Sequence, residues 1–325
     1  MSLFLARRLL QSLSVLLVLS ALVFSGIYLV GNPVDILINP EATPADRAAA
    51  MAALGLDRPL HEQYLAFLGR ALEGDLGRSF VFNEPAIRLI LDRFGATLEL
   101  AVVAMGIAVF LGIPLGLYAG LKPDSVGGRL VETGSILGFS LPSFWQGMML
   151  VLVFSVALGW LPSGGRGETG SLLGLETSLA TADGWRHVLL PAVNLALFKL
   201  ALVIRLTSAG TREAMPLDFV AFARAKGLPP RRIVGVHVLK YILIPIVTVL
   251  GLEFGSVIAF AVVTETIFGW PGMGKLIIDS INQLDRPVVV AYLLVVVTLF
   301  MAINLVTDVA YTLLDPRLRL GGGRA

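Results

Sequence analysis

LAVVAMGIAVFLGIPLGLYAGL, Leu100 to Leu121, is a run of 22 residues without a charged side chain. A bilayer core about 30 Å thick takes about 20 apolar residues in helix, because each backbone N–H and C=O must find its partner inside the segment. This run therefore reads as a membrane span. Working outward, Leu9–Val30, Thr133–Gly165 and Pro287–Thr307 are equally free of charge. Two further runs are interrupted by charges: Val188–Thr211 carries Lys199 and Arg205, and Tyr241–Phe268 carries Glu253 and Glu265. Six spans are expected in all, which makes the chain an all-α integral membrane protein.

Composition agrees. Hydrophobic residues make up 56% of the 325 and charged residues 15%, where a soluble domain has about 25% charged. Mean hydropathy is +0.83. With no cysteine, disulfides, Cys-ligated zinc, iron–sulfur clusters and thiol nucleophiles are excluded. The net charge of +2 matters less than its distribution, and nothing calls for nucleic acid as a partner. Arg7 and Arg8 precede the first run, which is too long for a signal h-region and lacks a small-residue cleavage site, so it reads as an uncleaved anchor. With that end inside, basic residues fall mostly in the inner loops, among them Lys122, Arg129, Arg212, Arg224, Lys226, Arg231, Arg232, Lys240, Arg317 and Arg319. The short outer loops hold Arg166, Arg186, Lys275 and Arg286. By the positive-inside rule both termini are expected in the cytoplasm.

Residues 32–95 form a polar insert expected outside the cell, with acidic residues outnumbering basic ones nine to six over 31–95. Thr43–Pro44 reads as an N-cap and first-turn pair for a helix reaching Leu54. The inner segment Arg212–Lys240 is the most unusual. Pro216 and Asp218 open a helix, Gly227 ends it and Pro229–Pro230 open another, giving a basic, partly apolar helix-turn-helix. Phe219, Val220 and Phe222 would need burial there, which suggests a docking element for a cytoplasmic partner. The alternative is a plain positive-inside loop with a surface helix.

Chemical motifs are weak. Gly269-Trp-Pro-Gly-Met-Gly274-Lys275 nearly satisfies a P-loop, but Leu276 stands where a Ser or Thr should reach magnesium and Pro271 removes an N–H. It reads instead as a turn into a surface or re-entrant helix, Lys275–Gln283. His61-Glu62-Gln-Tyr-Leu lacks the second histidine of a zinc-binding helix. No catalytic, cofactor-binding or metal residue is expected, and the chain is not read as an enzyme. Ionisable residues in or near spans are costly and so become functional candidates: Glu99, Glu132, Lys199, Arg205, Glu253, Glu265 and Asp308. Glu99, Glu132 and Asp308 lie near span ends and also suit capping or snorkelling. Glu99, Lys199, Arg205, Glu253 and Glu265 are the candidates for a pore or an intersubunit contact. Gly112, Gly116 and Gly120 share one helix face, as do Gly251 and Gly255, permitting close helix approach.

Taken together, these segments resemble the first permease subunit of binding-protein-dependent ABC importers of the dipeptide/oligopeptide group, whose relatives also import nickel chelates and glutathione. The matching stretches are Leu5-Ala-Arg-Arg-Leu-Leu, Leu54-Gly-Leu-Asp-Arg-Pro-Leu, Gly74-Asp-Leu-Gly-Arg-Ser-Phe80, Thr97-Leu-Glu-Leu, Gly112-Ile-Pro-Leu-Gly116, Ser140-Leu-Pro-Ser-Phe-Trp145, Gly159-Trp-Leu-Pro162, Leu190-Pro191, Thr264-Glu-Thr-Ile-Phe-Gly-Trp-Pro-Gly-Met-Gly274 and Leu314-Asp-Pro-Arg317. The family's coupling-loop signature stands as Ala223-Arg-Ala-Lys-Gly227, followed after nine residues by His237. The generic Glu-Ala-Ala and the polar pair usual in peptide-type relatives are replaced by Ala221 and Phe222, which makes the contact more apolar. Ser208 stands where relatives often have a basic residue.

The resemblance implies a type I importer (MetI-like) permease fold in the bacterial or archaeal plasma membrane. It implies a division into 1–31, the N-terminus and first span; 32–95, the extracytoplasmic insert; 96–314, a transmembrane domain of five helices with its coupling loop at about 212–240; and 315–325, a cytoplasmic tail. The implied partners are a second, homologous permease, two ABC ATPase subunits, an extracytoplasmic binding protein and the bilayer. ATP and magnesium would be bound by those ATPases, with no cofactor on this chain. The coupling loop would comprise Asp218, Phe219, Val220, Ala221, Phe222, Ala223, Arg224, Ala225, Lys226 and Gly227. The implied cargo is a peptide, with glutathione or a nickel chelate as alternatives. A proton-coupled carrier using Glu253, Glu265 or Lys199 is the rival of another class, and it would need an inverted repeat that the sequence does not display.

Overall fold

The structure is a computed structural model that describes residues 2–29, 43–53, 57–172 and 174–314. Its helices are α1 (Ser2–Leu29), α2 (Pro44–Ala53), α3 (Leu60–Leu72), α4 (Ala86–Leu121), α5 (Val126–Ser140), α6 (Ser143–Leu150), α7 (Ala182–Ala214), α8 (Asp218–Ala225), α9 (Pro230–Arg232), α10 (Leu239–Ile267), α11 (Met273–Asn282) and α12 (Arg286–Leu314). Wider π turns extend α6 through Val151–Ala157 and join α9 to α10 through Ile233–Val238.

Four described helices are long and apolar enough to cross a membrane: Ala86–Leu121, Ala182–Ala214, Pro230–Ile267 and Arg286–Thr307. A fifth is counted if α5 and α6 with its π turns form one broken span. In α1 the apolar stretch with described side chains is Leu13–Gly26, shorter than a span by itself.

The third expected span is corrected. Thr133–Gly165 is not one straight helix, because the chain turns by 107° between Ser140 and Ser143. Pro142 causes the break: it has no N–H to donate, and its ring pushes the preceding residue out of the helical region. Leu141 is accordingly extended, at φ −84°, ψ 138°. The Gln146 amide donates to the carbonyls of Gly138 (2.8 Å) and Leu141 (3.1 Å), supplying part of what the helix end lost. The all-α reading holds, with one short two-stranded hairpin beside the helices. Gly170–Leu172 (β1) and Leu175–Thr177 (β2) pair antiparallel, with Ser171 opposite Glu176.

The chain divides into two compact units. The first comprises Met1–Gly95 with Gly272–Met301. In it α2 starts as expected, with a reciprocal cap: Asp46 N–H donates to Thr43 Oγ1 while the Thr43 N–H and hydroxyl donate to the Asp46 carboxylate. Leu54, the expected end of that helix, lies outside the described residues. α3 lies on α1, with Ser20 Oγ 2.8 Å from the Tyr64 hydroxyl and Phe24 against Tyr64 and Phe67.

The second unit comprises Ala96–Pro271 with Ala302–Ala325. Its centre is α7, whose apolar window is 56% buried, and it packs against α5, α6 and α10. α4 approaches α7 through the expected glycine face. A Cβ built on Gly112 would fall 2.7 Å from Val203, one on Gly116 2.5 Å from Thr207, and one on Gly120 2.7 Å from Thr211. Backbones that close leave no room for a methyl group, so these glycines fix the α4–α7 separation. Gly251 does the same against Thr307. Elsewhere the spans keep large apolar side chains exposed, Phe110 at 79% and Phe260 at 75% among them, as expected of surfaces that lipid covers.

Candidate functional site

The expected docking element is α8 and the turn that follows it. Leu217 is extended, Asp218 sits in the first turn where the helix dipole favours a carboxylate, and eight residues of helix follow. Val220 and Ala223, three residues apart, face inward into a cluster with Ala214, Ile233, Val238, Ile242 and Ile246. Burying Val220 contributes about 1.5–3 kcal/mol and the single methyl of Ala223 less, and these two side chains hold α8 on its own chain. Phe219 is half-buried, its ring centroid 5.7 Å from that of Tyr241. Ala221, Phe222, Arg224, Ala225 and Lys226 form the outward face. Phe222 is 62% exposed, and Lys226 Nζ lies 4.5 Å from its ring centre. The expectation that Phe219, Val220 and Phe222 all require a partner is therefore corrected: the chain covers Val220 and much of Phe219 itself, and Phe222 alone is presented.

The helix stops by a defined device. Leu228 N–H donates to Ala223 O (3.2 Å) and Gly227 N–H to Arg224 O (2.9 Å), with Gly227 at φ +72°. These are the two bonds of a Schellman motif, which needs a left-handed residue at that position. Pro229 then caps α9 and Pro230 takes its first position. His237 is exposed on the π turns beyond.

The charged candidates within the spans divide into several environments. Glu99 is buried, accepting from Arg166 Nη2 at 2.7 Å and from Ser178 N–H at 3.1 Å. It pins the middle of α4, thirteen residues past Ala86, to the segment containing the β-hairpin. Glu265 has no accessible surface and accepts from the Thr97 hydroxyl at 2.7 Å. Enclosed by its own chain, it does not face a pore mouth or a neighbour. Nearby, Trp270 Nε1 donates to Ala96 O and Asn194 Nδ2 to Thr264 Oγ1, both at 2.9 Å. Lys199 pairs with Glu253 and donates to Ser256 Oγ at 2.8 Å. Glu132 pairs with Arg212 and accepts from Ser208 Oγ at 3.0 Å. Arg205 is exposed, its guanidinium 5.7 Å from the centre of the Phe139 ring. The side chain of Asp308 lies outside the described residues. A cavity of about 230 Å³ between α4, α5 and α7 is lined by Leu115, Leu130, Leu197 and Ile204 among others. Its apolar wall gives it shape but little selectivity.

Sequence reasoning missed Asp285. In the first unit its side chain is wholly buried, accepting the Ser79 hydroxyl and, at 3.0 Å, the Phe80 N–H. Ser79 Oγ in turn accepts the N–H of Phe82 at 2.8 Å. The Gly74–Phe80 stretch is thus folded around a carboxylate about 200 residues away in sequence, and no local pattern marks such a pair. Gly77, at φ +91°, lets the loop run close to Pro287.

Comparison with known proteins bears on what this arrangement serves. A family model described as the binding-protein-dependent transport system inner membrane component matches residues 112–320, and the corresponding N-terminal model matches 1–101. The di/tripeptide transport system permease protein DppB of Pseudomonas aeruginosa is 41% identical over 97% of this chain and 98% of its own length. The dipeptide permease DppB of Escherichia coli K12 is 36% identical over 97% and 98%, and the glutathione transport system permease GsiC of an Escherichia coli strain is 36% identical over 96% and 97%. Among solved structures, an inward-facing conformation of the MetNI methionine ABC transporter superposes with a TM-score of 0.55 over 70% of this chain and 96% of that one. At 16% identity this shows a shared fold. A chain matched over nearly its whole length, built of apolar helices around α7 and carrying a self-supported surface turn at α8, belongs to the family of inner-membrane permease components of binding-protein-dependent ABC transport systems.

Proposed function

We propose that this chain is one half of a heterodimeric pore in an ATP-driven importer of short peptides, taking cargo from an extracytoplasmic binding protein. The observation that carries the reading is the α8 turn. It is anchored by Val220 and Ala223 yet presents Phe222, Arg224 and Lys226 outward. An exposed apolar side chain followed by two cations on an anchored turn is suited to a groove of an ATPase subunit, and the anchoring would transmit that subunit's movement to α7 and α10. In this reading ATP and magnesium are held by the two ATPase subunits, a second permease completes the pore, and both termini and α8 lie in the cytoplasm. The insert of residues 32–95 then faces outward with the Gly269–Arg286 segment. Peptide cargo is supported by the di/tripeptide and dipeptide relatives. Glutathione is a second reading, supported by the GsiC relative; it is itself a tripeptide.

Affinity purification of the tagged chain from its native membrane in mild detergent tests the assembly. A second permease and two ATP-binding proteins are expected to accompany it, with ATPase activity in the preparation. Reconstituted with its binding protein, the complex should take up labelled dipeptide only when ATP is supplied. A chain that purifies alone without ATPase activity refutes the importer reading. Phe222→Asp should leave the membrane fold intact but weaken ATPase retention; undiminished retention refutes the role given to α8.

A further inference from the structure

Two cations lie in the apolar run of α7, and they meet different fates. Lys199 is neutralised by Glu253 and bonded to Ser256, with its Nζ 5.1 Å from the centre of the Phe198 ring. Arg205 is exposed, and among the described residues no acidic side chain pairs with it; its contact is the Phe139 ring. Phe139 is itself stacked on Phe198, ring centroids 4.4 Å apart at an interplanar angle of 26°. Phe198 and Arg205 are seven residues apart, close to two helical turns, so they share one face of α7. The arginine side chain leans back toward the helix N-terminus, as helical geometry favours. The result is a column on one surface of the second unit: a half-exposed ring pair with a guanidinium at its end.

The depth of this column makes it informative. Phe139 stands 13 residues after Val126, about 20 Å along α5 at 1.5 Å per residue. The loop before Val126 carries Lys122 and Asp124 and so belongs in water. Counted from the nearest charges of the same face, the Glu132–Arg212 pair, Arg205 stands seven residues, about 10 Å, farther along α7, so the guanidinium over Phe139 lies inside the apolar run and has not snorkelled to that end. An unpaired cation inside an apolar run is costly against lipid, so it belongs to an aqueous passage or a polar ligand. Two residues beyond Phe139 the helix breaks by 107° at Leu141–Pro142. Non-helical backbone within a membrane survives where protein covers it or where it lines a water-filled cavity.

The ligand follows from the chemistry. A guanidinium presents a planar fork of donors that matches a carboxylate in bidentate fashion. Two half-exposed rings beside it offer faces for an apolar side chain. The last residue of a peptide carries both groups on one Cα. We propose that Arg205, Phe139 and Phe198 form an intramembrane station for the C-terminal residue of a transported peptide, carboxylate on the guanidinium and side chain on the rings. This rests on the peptide reading above.

The test uses the complete complex in liposomes with its binding protein and ATP. The probes are radiolabelled Ala-Phe and its C-terminal amide, each normalised to its measured affinity for the isolated binding protein. The wild type is expected to take up the free acid at least tenfold better than the amide. Arg205→Gln should lower free-acid uptake about tenfold or more, to the amide level, while the complex still assembles; Arg205→Lys should retain an intermediate preference for the acid. Wild-type uptake of both forms in Arg205→Gln refutes the station alone. Loss of the second permease from Arg205→Gln but not from Arg205→Lys also refutes it, since the guanidinium would then pair with a carboxylate of that subunit. Wild-type liposomes that take up neither form refute the peptide reading, and the station with it.

Discussion

Gly227 offers a substitution series in which two physical arguments rank asparagine and alanine in opposite order. Its φ is +72°, and a Cβ added there would meet nothing within 4 Å. Bulk is therefore not excluded; what is penalised is the left-handed backbone, which costs an L-residue about 1–2 kcal/mol. Asparagine enters that region more readily than other side chains, and β-branched residues resist it most. The expected stability order is Gly, then Asn, then Ala, then Val. A loss of about 1 kcal/mol for Ala corresponds to roughly fivefold more frequent opening of the turn, because 1.4 kcal/mol is tenfold. Val should exceed tenfold. Hydrogen exchange reads this directly at the Gly227 and Leu228 amides, which donate to Arg224 O and Ala223 O and exchange only on local opening. ATP-driven uptake in the same variants should fall in the same order. If obstruction were the cause, the smallest side chain would be best tolerated. Alanine outperforming asparagine in both assays would refute the backbone argument and the Schellman reading of this turn.

Asp285→Ala should destabilise the first unit by about 2–3 kcal/mol, because the buried Ser79 hydroxyl and Phe80 N–H lose a charged acceptor; faster tryptic cleavage at Arg78 would report it. Replacing Lys199 or Glu253 singly with Met leaves a partly buried charge without its partner, so each should lower the thermal stability of the complex more than the Lys199→Met/Glu253→Met pair does. A stable double variant with no uptake would instead assign the pair a transport role. The Thr43 hydroxyl and N–H hold the Asp46 carboxyl below its ordinary value. A group whose pKa is depressed on folding stabilises above its unfolded pKa and loses that contribution as pH falls through the depressed value. Protection of the first α2 amides should accordingly persist at neutral pH and fall in acid, and Asp46→Asn should reproduce the acid behaviour at pH 7; identical protection in the variant would refute it.

The periodicities that need only local physics could be read without coordinates. Uncharged runs near 20 residues mark spans because of backbone hydrogen bonding in lipid. The glycines of α4 mark a helix contact because they repeat on one face, and Val203, Thr207 and Thr211 proved to be its other side. Thr43–Pro44, Gly227 and Pro229–Pro230 announced helix ends through rules that act over a few residues, and each stands at such an end. The direction of the chain was less legible. Pro142 was visible in the third run, but hydropathy is blind to a turn of 107°, and only the fold reveals that the span is broken there.

Sequence by itself determined the class of protein, the positions of most of its helices and the turn at α8, since composition, span length and capping are properties of short segments. Tertiary structure decided the fate of each charge. Lys199 and Arg205 sit six residues apart in one apolar run and each lies by an aromatic ring, yet among the described residues Lys199 meets a carboxylate, Glu253, and Arg205 does not. Glu265 is sealed on Thr97, and Asp285 is buried under a loop about 200 residues earlier in the chain. The cost of a charge in a membrane is fixed by its type, but its partner is fixed by which distant helix arrives beside it, and that is settled only when the helices pack.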